Sequence, residues 1–137
     1  MRVKIEEVSY KFGSTQENLA ILKSINPDWD IDKILDKTGI NNRYCSGDNE
    51  TALDLAVEAG KKLHSQLQDI DLLVFVTQSP EYILPTTACI AQDRLGLSKN
   101  IAAFDINLGC SGYVYALSVV GSLMEANQAS KALILCG

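Results

Sequence analysis

The chain has 137 residues, of which 47% are hydrophobic and 21% charged, and carries a formal net charge of −5. This is enough for one α/β domain with a buried core, and it is too apolar for a disordered chain. A pI near 4.7 and the absence of any Lys/Arg run exclude a long-range pull toward nucleic acid or anionic membrane, so neither is expected as a partner.

The N-terminal segment alternates charged with β-branched residues, and Val3, Ile5 and Val8 predict a first strand. It has no apolar core or cleavage site of a secretory signal, and a cytoplasmic location is expected. Ser14 and Glu17, three apart, predict a capping box for a short helix carrying Leu19, Ile21 and Leu22. A second short helix is predicted from Asp30 to Lys37, closed by Gly39, with Ile40 to Tyr44 extended. From Thr51 onward Leu53, Ala56, Gly60, Leu63 and Leu67 share one helical face, and Thr51 with Asp54 forms a capping pair.

Leu72 to Val76 is a continuous apolar run, the mark of a strand covered on both faces. Pro80 and Pro85 enclose a loop, Thr86 to Leu95 predicts a helix ended by Gly96, and Ile101 to Ile106 and Ala132 to Cys136 predict two further strands. Residues 106–124 carry no charge, yet Asn107, Gly109, Ser111, Gly112, Ser118, Gly121 and Ser122 make them too polar to span a membrane. They read as a helix buried on all sides. The alternation predicts an α/β fold, a mainly parallel mixed sheet with helices on both faces. With no repeat and no linker, residues 1–137 are expected to form a single domain.

Cysteines stand at 45, 89, 110 and 136 without a C-x-x-C pair, so no metal site and no disulfide framework is predicted. Three of them read as small buried hydrophobes. Cys110 differs, because Asn107-Leu108-Gly109-Cys110-Ser111-Gly112-Tyr113 joins a strand to the uncharged helix. The free N–H groups and positive end of that helix favour thiolate over thiol and can stabilise an oxyanion on an attacked carbonyl. Gly109 and Gly112 would let a substrate carbonyl approach.

Ala103-Phe104-Asp105-Ile106-Asn107, then Cys110-Ser111-Gly112-Tyr113-Val114-Tyr115-Ala116-Leu117, resembles the nucleophile segment of β-ketoacyl-acyl-carrier-protein synthase III. Thr38-Gly39-Ile40 with Arg43, then Asn49-Glu50-Thr51, and Ser79-Pro80 through Leu84-Pro85-Thr86-Thr87-Ala88-Cys89 resemble two more family segments, in the same order. The resemblance implies the N-terminal half of a thiolase fold, with the C-terminal half absent from this chain. It implies decarboxylative Claisen condensation of an acyl thioester with malonyl-acyl-carrier protein, through an acyl group on Cys110, initiating fatty acid or related chains.

The same resemblance implies no resident cofactor, acyl-carrier protein as partner, an acyl-coenzyme A or acyl-carrier-protein donor, and a homodimer paired through the edge strand 101–106. Candidate substrate-binding residues are Lys37, Gln78, Leu84, Gly109 and Ser111, with Leu84 reaching into the partner's acyl tunnel or simply standing as an apolar loop residue. The family's His and Asn are not among these residues, and His64 falls outside its motifs, so the chain alone is expected to be inactive. Where coenzyme A-binding members carry Trp and Arg, this sequence has Lys33 and Lys37; Trp29, one turn away, is either a substitute platform or a packing residue. A papain-like hydrolase is excluded by the missing Cys signature and downstream His. A hydroxymethylglutaryl-CoA synthase-like or other thiolase-fold enzyme, and a non-catalytic acyl-binding or dimerisation module, are the alternatives.

Overall fold

A computed structural model describes residues 3–137 as two compact units, one of residues 12–50 and the other of residues 3–11 with 51–137. In the smaller unit β1 (Thr15–Asn18) pairs antiparallel with β2 (Asn42–Cys45), flanking α1 (Leu19–Ile25) and α2 (Ile31–Thr38). Register places Glu17 opposite Arg43, and the two side chains form an ion pair at 2.5 Å. Phe12 stacks on Tyr44 with ring centroids 4.8 Å apart.

The predicted capping box at Ser14 and Glu17 does not form. Residues 15–18 are instead a strand, Glu17 is occupied by Arg43, and α1 is capped by Asn18, whose side chain accepts from Ile21 N–H at 2.9 Å. The second helix forms nearly where predicted. Asp30 caps it, and Gly39 ends it at φ 67°, in the left-handed region where a Cβ is unfavourable.

The larger unit holds α3 (Ala52–Lys61), β3 (Leu72–Val76), α4 (Thr87–Arg94), β4 (Ala102–Ile106), α5 (Gly112–Glu125) and β5 (Ala132–Cys136). Its three strands form a parallel sheet in the order β4-β3-β5. β3 is central and wholly buried because both faces are covered. Leu73 and Phe75 point to the side of α3 and α4, packing with Leu53, Val57, Ala88 and Ala91. Leu72, Val74 and Val76 point to the side of α5, packing with Ala116 and Val120. Each such Leu, Val or Phe contributes about 1.5–3 kcal/mol by leaving water.

No strand forms at Val3, Ile5 and Val8: the segment is extended but has no ladder neighbour among the described residues, and all three side chains are exposed. The helix from Thr51 stops at Lys61, and His64–Leu67 continues as a 3₁₀ turn. The α5 helix is buried in this chain on one face only; Tyr113, Val114 and Tyr115 are exposed, so its uncharged sequence is not matched by burial on all sides. Among the described residues no helix is long and apolar enough to cross a membrane.

At the start of α3 the capping box is complete. Thr51 Oγ1 accepts from Asp54 N–H, and the Asp54 carboxylate accepts from Thr51 N–H at 2.9 Å and from Arg94 at 2.6 Å. The backbone bond from Thr51, followed by the Arg94 bond, holds Asp54 down to about 2, below its ordinary 3.8. A depressed carboxyl contributes stability that is complete above its unfolded value and lost as pH falls through its folded value. The stability gap between the native chain and Asp54→Asn should therefore close between about pH 4 and pH 2 in urea unfolding. Thr51→Ala should cost about 1 kcal/mol in the same assay.

Candidate active site

The site lies at the C-terminal edge of the parallel sheet. Here β3 and β4 run directly into two loops, and one carbonyl anchors both: Ile106 O accepts from Thr77 N–H at 3.3 Å and from Leu108 N–H at 3.0 Å. A carbonyl oxygen has two lone pairs, so it can serve both donors. The segment bearing Gln78 and Ser79 is thereby set beside the segment bearing Gly109 and Cys110.

Between β4 and α5 the chain makes a tight turn, closed by Gly112 N–H donating to Gly109 O at 2.7 Å. Cys110 and Ser111 are its central residues, and Ser111 at φ −89°, ψ −9° has the third-residue geometry of a type I turn. Cys110 is exposed at the corner, immediately before α5. No side chain caps this helix, which leaves its N-terminal N–H groups and positive end directed at the turn.

The cysteine lines a cavity of about 330 Å³ with Val76, Gln78, Ser79, Leu108 and Gly109; Tyr113, Cys136 and Gly137 complete the lining. Its wall is mixed. Val76, Leu108 and Tyr113 supply apolar surface, while Gln78 and Ser79 supply polar groups, a combination suited to a short chain ending in a polar carbonyl.

The two glycines work differently from the expectation that both admit substrate. A Cβ on Gly112 would fall 2.4 Å from Val76 Cγ1, so this glycine lets the first turn of α5 lie against the end of β3. A Cβ on Gly109 would lie 2.6 Å from the Gln78 side chain, at the cavity wall.

Asp105, near the end of β4, ties that strand to α4. Its carboxylate accepts from the N–H groups of Thr87 at 2.8 Å and Ala88 at 2.7 Å, so β4 supplies the cap that Thr86 does not make for α4. A charged acceptor suits a helix N-terminus.

Of the sequence-predicted residues, the structure brings together Cys110, Gly109 and Gln78 around one cavity. Ser111 is exposed in the turn and does not line it. Leu84 also does not line it; the side chain stands 79% exposed in the loop before α4. Lys37 is exposed in the last turn of α2, in the smaller unit, and Trp29, 48% exposed, is not packed in a core. His64 is exposed on the 3₁₀ turn and does not line the cavity. Sequence reasoning missed Val76 and Cys136, although strand parity carried the signal: they are register partners, two residues beyond Val74 and Ile134 on the α5 side. Among the described residues no cluster of His, Cys, Asp and Glu is arranged to hold a metal ion.

Gly112→Ala should destabilise the chain by about 1–3 kcal/mol, because the clash is with a strand side chain already packed. Gly109→Ala meets only the movable Gln78 amide and should unfold at nearly the native urea concentration. Equal midpoints for the two variants would refute this division.

Comparison with known proteins bears on the family and the fold. Residues 104–137 match the family model for 3-oxoacyl-[acyl-carrier-protein] synthase III. The chain is 48% identical over 103 residues to β-ketoacyl-[acyl-carrier-protein] synthase III of Clostridium perfringens, covering 72% of this chain and 31% of that protein. It is 37% identical over 125 residues to the enzyme of the same name from Thiobacillus denitrificans, covering 88% and 38%. A crystal structure of a 3-oxoacyl-(acyl-carrier-protein) synthase III superposes with a TM-score of 0.89 at 41% identity, covering 96% of this chain and 40% of that one. The chain thus spans less than two-fifths of the length of these two sequence relatives. By sequence and by its partial thiolase fold, it belongs to the β-ketoacyl-acyl-carrier-protein synthase III family, corresponding to part of that protein.

Proposed function

We propose that the protein containing this chain is a condensing acyltransferase in which Cys110 carries the acyl group. The observation that supports this most is the exposed thiol at the uncapped start of α5, on a cavity it shares with Gln78. The thiolate attacks the carbonyl of an acyl thioester, and the N–H groups at the helix start stabilise the oxyanion. The C–S bond of the donor breaks, its thiol leaves with a proton, and the acyl group stays on Cys110. Malonyl-acyl-carrier protein then loses carbon dioxide, its carbanion attacks the acyl-cysteine carbonyl, and the Cys110 thiolate is released as the β-ketoacyl product forms.

The donor is an acyl-coenzyme A or acyl-carrier-protein thioester, and the reaction needs no resident cofactor. Lys37 is positioned on an exposed helix end where it can meet a donor phosphate as a point charge. The edge position of β4 supports pairing with its copy in a homodimer, since an open apolar edge strand is an aggregation hazard. In such a dimer the exposed Leu84 is available to the partner's acyl tunnel.

Incubation of residues 1–137 with acetyl-coenzyme A, read by intact mass, should give one acetyl adduct that maps to Cys110 and is absent in Cys110→Ala. The same chain should not complete decarboxylative condensation, because its single His does not line the cavity. An adduct that persists in Cys110→Ala would remove the basis of the proposal.

A further inference from the structure

The acyl-cysteine mechanism uses one thiol, yet two face the same cavity. Cys136 is the last residue of β5 and the register partner of Val76. In a strand, alternate side chains share a face, so Cys136 points the same way as Ala132 and Ile134, which pack on the α5 side of the sheet. The first turn of α5 lies against Val76 on that side, with Cys110 just before it, and both Cys110 and Cys136 line the 330 Å³ cavity.

The remaining cysteines are elsewhere. Cys89 is on α4, which packs on the opposite face of the sheet and whose Cys89 sulfur accepts from Thr86 Oγ1, and Cys45 belongs to the smaller unit. Backbone freedom also differs between the two cavity thiols. Cys136 is held by the β3–β5 ladder, whereas Cys110 sits in a glycine-flanked turn. A disulfide needs its Cα atoms within about 7 Å, and since the ladder fixes Cys136, any adjustment to that distance falls to the turn.

We propose that Cys110 and Cys136 form a dithiol site at which a hydroperoxide converts the nucleophile reversibly into a disulfide. The Cys110 thiolate attacks the O–O bond of the hydroperoxide, forming an S–O bond; the leaving oxygen takes a proton and departs as water or an alcohol. Cys136, losing its proton, then attacks the sulfenic sulfur; the S–S bond forms, the S–O bond breaks, and the released hydroxide takes that proton to leave as water. Two thiols are oxidised and one hydroperoxide is reduced. Partial burial raises the Cys136 thiol above its ordinary value, which disfavours it in the first encounter with oxidant. The effect on condensation rests on the acyl-Cys110 reading; the disulfide itself does not.

The test treats residues 1–137 with hydrogen peroxide and reads intact mass and peptide maps, with no activity measured. A loss of about 2 Da, a link between the Cys110 and Cys136 peptides, and full reversal by dithiothreitol are expected. Cys136→Ser should instead gain about 16 or 32 Da on Cys110, and Cys89→Ala should still form the bridge. Far-ultraviolet circular dichroism of each variant verifies folding, and the unsubstituted chain carries the result if Cys136→Ser does not fold. Oxygen uptake on Cys110 without a bridge in the unsubstituted chain, or a bridge to Cys45 or Cys89, would overturn the proposal. Because acylation is read separately on reduced protein, failure here leaves the acyl-Cys110 reading standing, and the converse holds.

Discussion

A carboxylate on a strand holds the larger unit in register with its chemistry. Asp105 reaches from β4 to the first two N–H groups of α4, five residues before Cys110 in the chain. A helix start offers positive partial charge and unpaired donors, and an acidic side chain satisfies both needs together. The consequence is that α4, which covers one face of β3, is tied to the strand that delivers Cys110. The next residue, Ile106, then supplies the carbonyl that gathers the two loops. Successive residues of one strand therefore secure a helix below the sheet edge and the loops around Cys110 above it.

That arrangement explains how a modest sheet can hold the Cys110 thiol at its surface. Three strands bury the central one completely, and parallel pairing leaves all their C-terminal ends at the same edge. Loops at that edge inherit the rigidity of the ladder beneath them. Gly112 then brings α5 against Val76, so the helix start that can stabilise charge is packed and not floating. Nothing in the turn itself needs to be stiff for Cys110 to be well placed.

Much of this was legible in the residues, and the failures have identifiable physical causes. The apolar run 72–76, the Thr51 and Asp54 pair, and the strand-turn-helix around Cys110 are local patterns, and each was read correctly from neighbours in sequence. Ser14 and Glu17 fit a capping box locally, but Glu17 found a stronger partner in Arg43 across a strand pair that no local pattern discloses. Val3, Ile5 and Val8 alternate as a strand should, yet alternation cannot supply a neighbouring edge. The Asp105 cap spans 17 and 18 residues and the Cys136 approach more, so both depended on knowing the order of strands in the sheet. The expectation for Cys110 rests on the family resemblance; periodicity alone leaves it one thiol among four.

The shared carbonyl of Ile106 has a mechanical meaning. Because Thr77 and Leu108 donate to the same oxygen, a displacement of Ile106 at the end of β4 disturbs both amides at once. An opening at the end of β4 therefore exposes both amides to solvent exchange together. The Gln78 and Cys110 loops thus take a common reference point from the strand, at the residue that follows Asp105.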